Sequence, residues 1–296
     1  MIESLGGYRL VRKLGEGPRA AVYLAHPHRD SEDATPAAIK IFRAHVSEES
    51  VTLEAEALSR SAGQHVAKIL DVTRGPDGIP ALILSRCANG SVGRLVRERV
   101  ALRPGEAITT LAPLIAAVGG LHDAGVRHGA IGADAVLFDH SGTPTLARFG
   151  TAVLAAAGMS AADREGDAGL QADLRALQQL VVVVLELVHD DATAELVQWL
   201  RASSPAEQGW LEALSRNLFD LGQPLAVDLR PERAPSGMAL PSRLGRSDPM
   251  PEPEHTPGVL AALNVPDFIA RLIPNSLAVS GVRSQLTRMV SSVRPR

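Results

Sequence analysis

Hydrophobic and polar positions alternate along the first part of the chain, from residue 8 to about residue 83. A period of two is typical of half-buried β-strands, and turn segments such as GPDG at 75–78 separate the runs. One interval, 47–60, carries its hydrophobic residues at helical spacing instead. The pattern therefore predicts one helix, over 47–60, and five strands. The strands cover YRLVRKL, AAVYLAH, AAIKIF, AKILDVT and PALILS.

The pattern changes beyond Ser91, where hydrophobic residues recur mainly at helical spacing. The strongest predicted helices are AITTLAPLIAAVGGLHDAG and ADLRALQQLVVVVLELV. The second is apolar nearly all round, so we expect it in the centre of the fold. Together the elements predict an α+β fold in which a small β-rich part precedes a larger helical part.

The composition changes again towards the C terminus. Residues 231–257 include seven prolines among Ser, Arg, Glu and Asp, which predicts a linker because such a segment cannot build a core. Residues 258–296 regain helical periodicity and predict two short amphipathic helices. Large apolar side chains are costly to leave in water, so we expect this segment to dock on a surface. The two stripes are Phe268, Ile269, Leu272 and Ile273, then Val282, Leu286, Met289, Val290 and Val293.

The overall composition is typical of a soluble protein, with 45% hydrophobic, 21% charged and 3% aromatic residues. A formal net charge of -3 argues against a nucleic-acid binder, since that function needs a positive excess. Cys87 is the only cysteine, which excludes an internal disulfide and fits a reducing compartment. The segment MIESLGGYRL has neither the basic start nor the apolar core of a signal peptide. We therefore expect a cytoplasmic protein.

Candidate chemistry begins in the turn LGEGPRAAVYLA at 14–25, which places Gly15 and Gly17 between two predicted strands. Backbone amides in such a turn can approach a phosphate closely, although an ordinary hairpin explains the glycines equally well. Lys40 lies in the next apolar strand, where a lone lysine is usually a surface residue with a buried stem. Glu54 lies on the helix that follows, where its carboxylate could meet this lysine.

These motifs continue with LHDAGVRHGAIGADAVLFD, TLARFG and ADLRALQQLVVVVLEL. In this order they resemble a Ser/Thr protein kinase domain of the eukaryotic type found in bacteria, over roughly residues 8–235. The resemblance implies a two-lobed α+β fold, with a small β-rich N-lobe at 1–87 and a larger helical C-lobe at 88–235. The predicted Pro-rich linker then occupies 236–257, and the C-terminal helical docking segment occupies 258–296.

The resemblance also implies a nucleotide cleft. In it, Gly15 and Gly17 are the first two loop glycines, with Ala20 in place of the third, and Lys40 holds the α- and β-phosphates while pairing with Glu54. The residues placed around the adenine are Val22, Ala38 and Leu137, and those placed in the spine that joins the lobes are Leu58, His128 and Phe149.

The family's catalytic residues are missing from their positions. Its catalytic loop has the pattern H-R-D-x-K-x-x-N, and this chain has HGAIGADA. Ala130 therefore replaces the base, Gly132 the lysine and Ala135 the metal-binding asparagine, while Arg148 replaces the metal-binding aspartate of D-F-G. A positioned base contributes roughly 10²–10⁴ in rate. Bound metal supplies a large electrostatic stabilisation of the transferring phosphoryl group. We expect no catalytic base and no metal.

Other charged residues at the site have structural counterparts in the family. Asp173, at the head of the apolar helix, matches a buried aspartate that anchors the catalytic loop, and Asp134 and Asp139 occupy commonly acidic or turn positions. We expect Arg148 to project into the cleft, where it either contacts phosphates or pairs with Glu54 and displaces the strand lysine. Of these two arrangements, we favour the pair with Glu54.

The sequence therefore predicts a pseudokinase, a module of kinase fold that binds protein partners as a scaffold or regulator and transfers no phosphate. We expect no cofactor, with weak metal-independent ATP binding as the remaining option. The surface on which residues 258–296 dock is expected to belong to the same chain, to a second copy or to another protein. Docking on a membrane is disfavoured. Two alternatives stay open: an unorthodox nucleotide-dependent transferase or weakly active kinase, and a structural subunit with a collapsed cleft.

Overall fold

The chain divides into two units, Met1–Gly237 and Met238–Arg296. The linker predicted at 236–257 and the docking helices predicted at 258–296 lie outside the residues that the structure describes. This structure is a computed structural model, and it describes residues 4–28, 35–63, 65–75, 77–155 and 166–230.

An antiparallel sheet of six strands forms the N-terminal part, in the order β1-β2-β3-β4-β6-β5. The five predicted strands are confirmed as β2 to β6, and a two-residue strand precedes them. The bounds are β1 Ser4–Leu5, β2 Tyr8–Glu16, β3 Ala20–Pro27, β4 Ala37–Phe42, β5 Ile69–Arg74 and β6 Pro80–Ser85.

Strand β4 separates a hydrophobic core from the candidate site. Ala37 and Ile39 are fully buried in a cluster with residues of β1, β3 and β6. Side chains alternate between the two faces of a strand, so Ala38 and Lys40 lie on the opposite face. Val22 of β3 is the cross-strand partner of Lys40 and shares this face. The alternation visible in AAIKIF thus decides which side chains reach the site.

Helix α1, Glu48–Arg60, confirms the predicted helix between β4 and β5. Ser47 caps its start, because the Ser47 Oγ accepts a hydrogen bond from the Ser50 amide at 3.3 Å. The helix buries one face, which carries the carboxylate of Glu54 among apolar residues. The apolar residues on this face are Val51, Ala55, Ala57 and Leu58.

The chain beyond residue 91 is mainly helical, and the two strongest predicted helices are confirmed as α3 and α4. The combination of antiparallel sheets with these helices confirms the α+β class, while the division into two lobes stays a prediction. The helices are α2 Val92–Glu98, α3 Pro104–Asp123, α4 Ala168–Leu185, α5 Asp191–Ala202 and α6 Trp210–Phe219. The short strand pairs are β7 Val126–Arg127 with β10 Val153–Leu154, and β8 Val136–Phe138 with β9 Pro144–Leu146.

Helix α4 packs against α3 and α5, but it is not buried all round as its apolar sequence predicts. The Val183 side chain is 40% exposed on the outer face. Helices α3 and α4 are both long and apolar enough to cross a bilayer, each with a mean hydropathy of 1.2. This is weak evidence, because core helices share these properties, and 61% and 44% of the two apolar stretches are buried within the fold.

An extended segment follows α6 and returns to the start of α3, which the sequence did not predict. The Leu225 amide donates to the Gly105 carbonyl at 2.9 Å, and the Asp228 amide donates to Glu106 Oε1 at 3.2 Å. A side chain at Gly105 would place its Cβ 2.3 Å from the Gln223 carbonyl oxygen. This close approach requires glycine at the start of α3.

Candidate functional site

Lys40 and Glu54 form an ion pair between β4 and α1, with Lys40 Nζ donating to Glu54 Oε1. The two side chains are only 14% and 3% exposed. Lys40 Nζ also lies 4.9 Å from the centroid of the Phe42 ring. The structure thus brings together the lysine and the carboxylate that the sequence places on neighbouring elements. Burial makes the pair interdependent, because either partner alone would be a buried and uncompensated charge.

Arg148 does not pair with Glu54, so the arrangement favoured from the sequence is wrong. Glu54 lies on the buried face of α1 opposite β4, and the strand lysine already occupies its Oε1. Arg148 is exposed, has left-handed backbone angles of φ 66° and ψ 46°, and precedes the short helical turn Phe149–Thr151. It forms no hydrogen bond or ion pair with any residue that the structure describes. Contact between Arg148 and a phosphate stays a prediction.

Asp173 of α4 holds the loop that contains Ala130, Gly132 and Ala135. Its carboxylate accepts hydrogen bonds from the His128 amide at 2.6 Å and the Gly129 amide at 2.8 Å, and lies 3.4 Å from His122 Nε2. Burial alone would raise the pKa of Asp173, but hydrogen bonds from His122 and the two amides outweigh it and lower the pKa. This carboxylate therefore anchors the loop to α4.

His128 is completely buried and joins the loop to the turn that follows Arg148. Its Nδ1 accepts a hydrogen bond from the Ala130 amide at 3.2 Å, so the ring proton belongs on Nε2, which donates to the Ala147 carbonyl at 2.9 Å. The ring packs edge-on against Phe149, with centroids 4.7 Å apart. Burial lowers the pKa of His128, although the Ala147 carbonyl and Asp173 oppose this.

The lowered pKa of His128 predicts acid destabilisation. The unfolded chain binds a proton at His128 at higher pH than the folded chain, so the free energy of unfolding falls as the pH drops below about 6.5. The fall ends below the pKa of the folded state. Urea unfolding at several pH values between 7.5 and 5 measures this dependence, which is expected to weaken in His128→Leu. An unchanged pH dependence in that variant would contradict the assignment of a neutral, buried imidazole.

Three positions of this loop offer no side-chain ligand for a metal ion. Ala130, Gly132 and Ala135 carry no polar side-chain atoms, and Ala135 is only 3% exposed. Across the described ranges, no group of three or more His, Cys, Asp or Glu residues is arranged to hold a metal ion.

The two nearby carboxylates take part in other contacts. Asp134 Oδ1 accepts a hydrogen bond from Ser91 Oγ at 3.2 Å and lies 3.6 Å from Arg97 Nη1, which directs it to α2. Asp139 Oδ1 accepts from the Ser141 and Thr143 amides, at 2.8 and 2.9 Å, within the turn between β8 and β9. Each carboxylate thus has a hydrogen-bond partner within the described fold.

The residues expected around the adenine are all partly exposed: Val22, Ala38 and Leu137. The first two share the face of Lys40, and Leu137 lies in β8. Gly15 and Gly17 have no positive φ, and a Cβ at Gly15 would meet no atom within 4 Å. The backbone therefore does not require glycine at either position, and nucleotide binding there stays a prediction.

Sequence reasoning missed two polar contacts near the site. Arg19 Nη2 donates to Ser50 Oγ at 2.7 Å, and Arg127 pairs with Asp167, the residue that caps α4. The partners are 31 and 40 positions apart, and no spacing rule links residues so distant in the chain. The only available signal was the charge of Arg19 within the glycine-bearing turn.

A comparison with protein families agrees with this geometry. The family model described as Protein kinase domain matches residues 8–172, more than half of the chain. The match includes the Lys40–Glu54 pair, the loop that Asp173 anchors and the turn containing Phe149. The chain therefore belongs to the protein kinase domain family.

Proposed function

We propose that the chain is a pseudokinase that binds protein partners as a scaffold or regulator. One observation carries the proposal: the Lys40–Glu54 pair and the loop anchored by Asp173 are formed, whereas Ala130 and Ala135 stand at the positions of the base and a metal ligand. The supporting framework of a kinase site is kept without the side chains that act on a phosphoryl group.

The replacements affect separate parts of phosphoryl transfer. Ala130 cannot orient an acceptor hydroxyl or take its proton, which removes a contribution of roughly 10²–10⁴ in rate. Ala135 and Arg148 cannot coordinate a divalent cation, and the guanidinium of Arg148 repels one. Without a metal, charge that develops on the phosphoryl group loses its main electrostatic stabilisation. These losses act together, which favours a role that requires no transfer.

An unorthodox transferase, or a weakly active kinase, remains the leading alternative. Such an enzyme needs a carboxylate in place of the missing groups, and Asp134 and Asp139 are the nearest in sequence. Their contacts with Ser91 and with the β8–β9 turn weigh against this use. A structural subunit with a collapsed cleft is the second alternative.

The proposed partners and location follow from the sequence. We assign no cofactor, and any ATP binding is proposed to be weak and independent of metal. Partners are proposed to be proteins rather than nucleic acid, with 258–296 as the proposed contact segment and a second copy as one option. A cytoplasmic location is proposed, and the single cysteine, which fits a reducing compartment, supports it.

We expect the purified chain, incubated with labelled ATP and Mg²⁺ or Mn²⁺, to incorporate no more phosphate than the variant Lys40→Met incorporates. This variant lacks the lysine on which orthodox transfer depends, so it measures background, including contaminating kinases. Incorporation by the unmodified chain that disappears in Lys40→Met would contradict the proposal. Loss of that incorporation in Asp134→Asn or Asp139→Asn would then identify a substitute base.

A further inference from the structure

The tip of the glycine-bearing turn is attached to the start of α1. Arg19 Nη2 donates to Ser50 Oγ in the first turn of the helix, at 2.7 Å. The Arg19 carbonyl accepts a hydrogen bond from the Arg43 amide at 2.8 Å, and the Arg43 guanidinium pairs with Glu16. Contacts on both sides of the turn 17–19 therefore connect it to the segment that leads into α1.

Arg19 also lies beside the Lys40–Glu54 pair. A methyl group on Gly150 would be 3.6 Å from Arg19 Nε, 3.6 Å from Lys40 Nζ and 3.5 Å from Glu54 Oε2. Charged groups of Arg19, Lys40 and Glu54 therefore surround the position that a Gly150 side chain would occupy. Arg19 Nε and Glu54 Oε2 both face the position that a Gly150 side chain would occupy, although only Lys40 forms an ion pair with the carboxylate.

The remaining hydrogen-bonding atoms in this cluster are enclosed. Arg19 Nε and Glu54 Oε2 are buried and have no hydrogen-bond partner within the described part of the chain. Lys40 occupies Oε1, whereas Oε2 lies on the side of Gly150, where Arg19 Nε is the other unpartnered polar atom in the described residues. Opposite charges in an enclosed site attract more strongly than in water, which favours the arrangement in which α1 stays close to the sheet.

We propose that Arg19 is a positioning residue that holds α1 against the sheet and keeps Lys40 and Glu54 paired in the free protein. It acts through its hydrogen bond to Ser50 and its charge beside Glu54. This role goes beyond the proposed function, because it concerns the conformation without any ligand and does not depend on whether phosphate is transferred. A module with this contact presents the same α1 surface to a partner with or without nucleotide.

Hydrogen–deuterium exchange of the full chain without nucleotide tests the proposal, with peptides from 48–60 as the readout. Arg19→Ala is expected to speed exchange in α1 about tenfold, since a hydrogen bond from a charged group is lost. Ser50→Ala is expected to have a smaller effect. The double variant is expected to exchange no faster than Arg19→Ala, because both changes remove the same contact. Arg12→Ala, an exposed arginine of β2, is the matched control and is expected to leave α1 unchanged.

Exchange in Arg19→Ala equal to that in Arg12→Ala would overturn the proposal, as would strictly additive effects of the Arg19 and Ser50 replacements. Circular dichroism establishes first that each variant is folded. Should Arg19→Ala fail to fold, Arg19→Lys retains the charge but not the guanidinium fork, and is expected to give intermediate exchange. Unchanged exchange in both Arg19→Lys and Ser50→Ala would then refute the role.

Discussion

Asp173→Ala is expected to lower the free energy of unfolding by about 3–5 kcal/mol, because it removes a buried anchor of the catalytic loop. The replacement leaves the amides of His128 and Gly129 without their acceptor, and the buried His128 donor alone costs about 1–3 kcal/mol when unsatisfied. The His122 contact is lost as well. Urea unfolding followed by circular dichroism at pH 7.5 measures the change.

Two further variants separate this anchor from an ordinary loss of charge. Asp173→Asn keeps the size and one acceptor oxygen, so it is expected to lose roughly half as much stability. Asp191→Ala removes an exposed carboxylate from the first turn of α5 and is expected to change stability by no more than about 0.5 kcal/mol. Equal losses in Asp173→Ala and Asp191→Ala would show that the loop does not depend on this carboxylate.

Gly129→Arg, which restores the family's arginine, is expected to destabilise the protein by about 2–4 kcal/mol. Gly129 has a φ of 73°, a left-handed conformation that costs other residues roughly 1–2 kcal/mol. A Cβ there would also lie 2.8 Å from the backbone oxygen of Thr151. The surrounding backbone must move to admit any side chain at 129, so we expect this single replacement to carry a steric cost. The same urea unfolding experiment measures the loss.

The neighbouring glycine of the same loop provides a matched control. Gly132 has extended backbone angles, and a Cβ there would meet no atom within 4 Å. Gly132→Lys, which also restores a family residue, is expected to change stability by no more than about 0.5 kcal/mol. Gly129→Ala and Gly132→Ala repeat the comparison without added charge. Similar losses in the two alanine variants would contradict the steric argument.

Much of the local architecture could be predicted because the physical signal lies within short stretches. Alternation in AAIKIF predicts the strand and places Ile39 and Lys40 on opposite faces of it, since successive side chains of a strand alternate between the two faces. Helical spacing in 47–60 predicts α1 and places Glu54 on its inner face. The replacements at Ala130, Ala135 and Arg148 are likewise visible without coordinates. These features depend on residue type and local spacing alone.

The tertiary structure decided which charges meet. From the sequence, Arg148 and Lys40 were both available to Glu54, and only the tertiary structure shows that the lysine forms the ion pair. Tertiary contacts also bring Arg19 to Ser50, and the Thr151 carbonyl makes glycine necessary at 129, whereas a side chain at 132 meets no atom. These outcomes depend on distances between residues far apart in the chain. Residue identity and spacing determine the elements and the residue types at the expected catalytic positions, whereas the way in which elements pack determines how the charges are paired.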